Sequence, residues 1–85
     1  MTTESENYGE RFNAEVAADL RAARSRQRKS FPEIADTTGI PRNTLLRYFN
    51  GQRDIPMPAF GRIARALNLP VGETLDAIAQ RLEQD

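Results

Sequence analysis

The residues from Ser30 to Gly51 hold the punctuation that most restricts how this chain can fold. Ser30-Phe31-Pro32-Glu33 has the S-x-x-E form of a capping box. In that box the serine hydroxyl accepts from an amide of the first helical turn and the glutamate reaches back to the serine N–H. Pro32 suits a first turn, where amides lack intrahelical partners. The helix opened there must stop near Gly39, because glycine accepts the left-handed conformation that closes helices. Only Gly39-Ile40-Pro41 separates it from a second periodic segment, read as Arg42 to Asn50 and closed by Gly51. Leu45, Tyr48 and Phe49 stand at i, i+3 and i+4 and form its inner face. Arg42, Asn43, Leu46, Arg47 and Asn50 are left on the other side. Two short helices folded about a tight turn therefore form the centre of the chain.

The flanks continue the helical period. A helix is expected from Ala14 to Gln27, with Asn13 as N-cap, Glu15 favourable in the first turn, and Val16, Leu20 and Ala23 facing inward. Met1 to Arg11 reads as a flexible acidic tail, which leaves residues 12–85 as the folded domain. Gln52 to Met57 is a turn marked by Asp54 and Pro56. Phe60, Ile63, Ala64 and Leu67 define a helix from Pro58 to Leu67. After a break at Asn68 to Gly72, Leu75, Ile78 and Leu82 form the core-facing stripe of a last helix, with Val71 one turn earlier. No alternating β-branched or aromatic run exists. The expected fold class is all-α, a compact bundle of about five short helices with a central helix-turn-helix.

Composition narrows the chemistry. The chain has 85 residues, one small domain, with no cysteine and no histidine. Ser-His-Asp and Cys-His catalysis are thereby excluded, as are thiolate and imidazole metal sites. No nucleophile–base pair or cofactor loop stands out, so neither an enzyme nor a cofactor or metal is expected. No apolar run nears the roughly 18 residues of a membrane helix, and the first ten residues lack the basic start and apolar run of a secretory signal. The expectation is a cytoplasmic, nucleoid-associated protein with no membrane partner. Net charge is zero, but it is unevenly spread. Nine basic and four acidic residues between Arg11 and Arg53 give +5, and the remainder carries −5. Such asymmetry suits one face turned to a polyanion.

A helix-turn-helix presents its second helix to the major groove of DNA, where base edges are distinguishable. Arg42, Asn43, Leu46 and Arg47 lie on the expected outer face. Arginine forks match guanine O6 and N7, asparagine pairs with adenine, and a leucine meets a thymine methyl or else joins the core. Arg24, Arg26, Arg28 and Lys29 cluster at the end of the first helix, as candidates for phosphate contact.

Taken together, Arg24, Ser30, Glu33-Ile34-Ala35, Gly39-Ile40, Leu45, Asn50-Gly51, Ile63-Ala64 and Ala66-Leu67 resemble the Cro/phage-repressor-type helix-turn-helix family, also called Xre-like. The resemblance covers roughly Val16 to Leu75. It implies the lambda-repressor-like bundle of about five helices, base reading at 42, 43, 46 and 47, and phosphate contacts at the second helix's start (Ser30, Phe31) and in the turn from Asn50 to Arg53. It also implies a double-stranded operator, repression by occlusion, and a homodimer, for which the helix 5 stripe offers a seam near Leu82. An autoregulatory antitoxin that binds a toxin protein is the alternative. Three departures stand out. Phe31 occupies a frequent Gln position and Pro41 a frequent N-cap Ser. Phe49 replaces a Glu that often pairs with the helix 1 arginine, which leaves Arg24 freer to face a phosphate.

Overall fold

The computed structural model describes residues 4–84, with side chains from Asn7 onward. Five helices follow one another: α1 (Glu4–Gln27), α2 (Phe31–Thr38), α3 (Arg42–Phe49), α4 (Met57–Ala66) and α5 (Val71–Glu83). α1 spans 24 residues, about 36 Å at 1.5 Å per residue, and is the long axis on which the others are laid. It packs against α3 and α5, while α2 packs against α3 and α4. The shared core is made by Leu20, Ile34, Leu45, Phe49, Phe60, Ile63, Leu67 and Ile78, all almost fully buried. Every helix contributes to it, so no pair of helices is stable without the rest.

α1 starts at Glu4 rather than Ala14, so residues 4–11, read as part of a tail, are helical; residues 1–3 lie outside the described residues. Asn13 is therefore in a helix interior and cannot be an N-cap. Its side chain is used across the fold: Nδ2 donates to the Arg53 carbonyl at 3.2 Å, and Oδ1 accepts from the Ile55 N–H at 3.1 Å. An asparagine before an apolar stripe looks the same in sequence whether it caps a helix or pins a distant loop.

The last helix packs its stripe into the core, as its spacing predicts. Ile78 and Leu82 are buried, and Leu75 is half-buried against the same core. The stripe is thus used inside the chain, because a domain this small needs it to cover α1 and α4, which leaves little of it for the seam between two copies that the resemblance implies. Arg81 on the outer side of α5 pairs with Glu15 at 2.7 Å and Asp19 at 3.2 Å. These exposed pairs orient α5 on α1 but contribute little stability. Among the described residues, Tyr8 and Met57 are the large apolar side chains left exposed, beside an open groove of about 500 Å³ that also involves Phe12, Ile55, Phe60 and Leu75.

Helix ends are closed by local hydrogen bonds. The capping box at Ser30 is complete: the Ser30 hydroxyl accepts from the Glu33 N–H at 3.2 Å, and Glu33 accepts from the Ser30 N–H at 2.7 Å. α2 closes on Gly39 at φ 76°, whose N–H donates to the Ala35 carbonyl. α1, α3 and α4 end in the Schellman pattern, with left-handed residues Arg28, Gly51 and Asn68. For α1 the two bonds run from the Arg28 N–H to the Ser25 carbonyl and from the Lys29 N–H to the Arg24 carbonyl, each 3.2 Å.

Candidate nucleic-acid interface

The turn between α2 and α3 sets how α3 is presented. Thr38, buried, donates its hydroxyl proton to the Ile34 carbonyl at 2.7 Å and accepts from the Ile40 N–H at 3.2 Å. This one side chain ties the end of α2 to the turn, and Ile40 then buries itself as the chain reverses. Pro41 opens α3 with extended backbone and supplies no side-chain cap. Leu45, Tyr48 and Phe49 are buried as expected and fix which face of α3 is inward.

Three further contacts brace α3 from α1 and α2. The Arg21 guanidinium donates to the Phe49 carbonyl at 2.6 Å, which meets the negative end of the α3 dipole. Phe31 packs edge-on to Phe49, centroids 5.2 Å apart. Arg24 lies over the Phe31 ring at 4.2 Å and donates to the Lys29 carbonyl at 3.0 Å. Phe31 thus serves as a wedge between α1 and α3.

On the outer side, Arg42, Asn43 and Arg47 are exposed, and Leu46 is half-buried. The side chains of the first three have no hydrogen bond or ion pair among the described residues. Leu46 remains partly accessible and is not among the hydrophobic residues packed against the core.

The basic residues divide into two groups. Arg24 and Lys29, expected as phosphate contacts, have intramolecular partners. The Lys29 ammonium donates to the Ala66 carbonyl at 2.7 Å, at the C-terminal end of α4. Beside it, the Gln27 amide donates to the Leu67 carbonyl. Arg24 is not the free cation that its missing glutamate partner suggested. The aromatic ring and the Lys29 carbonyl replace the carboxylate. Arg26, Arg28 and Arg53, by contrast, are exposed with side chains unpartnered among the described residues. Asn50 is exposed as the C-cap of α3, and Ser30 is exposed at the start of α2. Arg53 lies in the loop that Asn13 holds by its backbone on either side of Asp54. Sequence reasoning missed both Arg21 and Asn13 as supports, since their partners lie 28 and about 40 residues away.

A family model described as a helix-turn-helix domain matches residues 15–82, the whole bundle except the start of α1 and the last residues. The chain belongs to this helix-turn-helix family, in keeping with its Cro/phage-repressor-type features. No curated protein and no solved structure matches it. Among the described residues, no helix is long and apolar enough to cross a membrane.

Proposed function

We propose that this protein is a sequence-specific double-stranded DNA-binding regulator that represses transcription by occluding an operator. α3 enters the major groove, with Arg42, Asn43, Leu46 and Arg47 toward the bases. Arg26, Arg28, Ser30, Asn50 and Arg53 meet phosphates on either side. Arg24 and Lys29 brace the frame that presents them. The observation that carries this reading is the contrast on α3: one side is locked by Leu45, Tyr48, Phe49 and the Arg21 bond, while the polar side chains on the other side have no partner among the described residues. Exposed polar groups on a rigid helix break no internal bond before they meet a base and exchange only water for it. Affinity comes from the cations and specificity from α3; the action is binding, with no chemical step.

Selection from a pool of random duplexes tests it. Wild-type protein enriches one motif. Arg42→Ala, Asn43→Ala and Arg47→Ala melt within about 0.5 kcal/mol of wild type, because all three residues are exposed. Each weakens binding to the motif by about 1–3 kcal/mol where it makes a two-pronged base contact. With the motif placed across a reporter promoter, expression falls when the protein is supplied. If all three variants bind the motif as wild type does, α3 is not the reading element.

A further inference from the structure

The N-terminal turn of α3 is built against its own stability. Its first residue is Arg42, its first turn holds no acidic residue, and its N-cap is a proline with no side-chain cap bond. A cation at the positive end of a helix dipole is unfavourable, and a missing cap leaves amides without partners. The other short helix of the motif, α2, has a full capping box with Glu33 in its first turn. α4 and α5 also open on an uncapped proline. What is particular to α3 is a cation in its first turn, a local rule broken where another demand decides the residue.

That demand can be read from helix geometry. At about 100° per residue, Arg42, Leu46, Asn43 and Arg47 fall near about 0°, 40°, 100° and 140° around the axis. They make one outward sector. Arg42 and Arg47 bound it on both sides and are about 7.5 Å apart along the axis, roughly two base-pair steps of 3.4 Å. No residue of α3 is acidic, so no carboxylate of this helix accepts from cytosine N4 or neutralises the two forks. Glu33, at the start of α2, is occupied by the Ser30 N–H. The face therefore offers donors at both edges. In the major groove, guanine presents two acceptors, O6 and N7, side by side, the match for an arginine fork.

Resting on the DNA-reading role proposed above, we infer that the duplex this protein selects has a guanine facing Arg42 and another facing Arg47, within about four base pairs. Between them, Asn43 accommodates adenine, and the accessible part of Leu46 accommodates a thymine methyl. Purine acceptors, rather than cytosine amino groups, carry the recognition.

The test substitutes 7-deazaguanine for each guanine of the enriched motif in turn. This base keeps Watson–Crick pairing and O6 but lacks the N7 acceptor. Two positions lower wild-type affinity by about tenfold or more, in line with the discrimination of a two-pronged base contact. At one of them the loss disappears in Arg42→Ala, and at the other in Arg47→Ala, because the side chain that used N7 is already absent. An enriched motif without guanine, or one indifferent to every 7-deazaguanine, overturns this inference and leaves sequence-specific DNA binding standing. If no duplex is enriched, the proposed function falls and this inference falls with it.

Discussion

Arg28 gives a test in which stability and binding move in opposite directions. It closes α1 with φ 56°, a left-handed conformation held by the Schellman bonds at Arg28 and Lys29. That conformation costs an L-residue roughly 1–2 kcal/mol. Glycine there removes the cost but returns about 0.4–1 kcal/mol by loosening the unfolded chain. Arg28→Gly should therefore stabilise the fold by roughly 0.5–1 kcal/mol. At about 4–8 °C per kcal/mol for a domain of this size, Tm rises by about 2–8 °C. The same substitution removes an exposed, unpartnered cation from the edge of the proposed phosphate face. The slope of log affinity against log salt becomes shallower by about 0.9, the contribution of one neutralised phosphate. Arg28→Ala separates the two effects, since it loses the cation and keeps the strain: it shares the shallower slope without the gain in Tm. Thermal melting by circular dichroism and duplex titrations from 50 to 200 mM salt measure both. A lower Tm for Arg28→Gly would refute the strain argument, and an unchanged salt slope would take Arg28 off the phosphate face.

The other predictions concern the frame. Leu45→Ala opens a cavity at a fully buried site and costs about 2–5 kcal/mol; a melting curve like that of wild type would contradict the placement of α3. Asn13→Ala loses the two bonds to the α3–α4 loop and gains some helix propensity, for a net loss of about 0.5–2 kcal/mol. Amide exchange should accelerate at Ile55 more than in α5, and uniform exchange would show that the loop does not depend on Asn13. The Ser30 N–H and then the Ser30 hydroxyl hold the Glu33 carboxyl below its ordinary value near 4.5, helped by Lys29. Its contribution is therefore full above that value and lost as pH falls through the lowered one. Glu33→Gln keeps an acceptor in the capping box and should flatten the acid limb of Tm against pH; an unaltered limb places the acid sensitivity elsewhere.

What the sequence made legible was local. The capping box, the Gly39 and Gly51 closures and the buried triad of α3 all depend on residues within four or five positions of one another, and each is found where the spacing placed it. Boundaries were less visible. Asn13 has the chemistry of a cap, and only the fold shows that its amide is spent on Arg53 and Ile55. The same holds for the cations. Arg24, Arg26, Arg28 and Lys29 are alike in sequence as a basic cluster at a helix end, yet Lys29 meets Ala66 across the fold and Arg24 meets Phe31, while Arg26 and Arg28 stay exposed. Periodicity assigns a face to a residue but does not report which carbonyl is waiting opposite it. The spacing of the α5 stripe correctly predicts core, although an apolar row is also compatible with a seam; the size of the domain decides for the core.

The exchange of a carboxylate for an aromatic ring at the centre of the motif has a physical consequence for how the protein responds to salt. An ion pair between α1 and α3 would weaken with ionic strength wherever it is exposed, together with the phosphate contacts. Here Arg24 is half-buried on Phe31, and Phe31 is wedged against the buried Phe49. A guanidinium over a ring and a bond to a carbonyl depend less on the ionic atmosphere than a pair of exposed charges does. No carboxylate takes part, so the brace has no acid titration of its own. The geometry that aims α3 is thus separated from the term that sets affinity. On the proposed function, raising salt strips counterion-driven attraction from Arg26, Arg28 and Arg53, while Phe31, Phe49 and Arg24 keep α3 in place. Such a protein is expected to lose DNA as salt rises with its reading surface intact, the behaviour required of a helix whose outward side chains choose the bases.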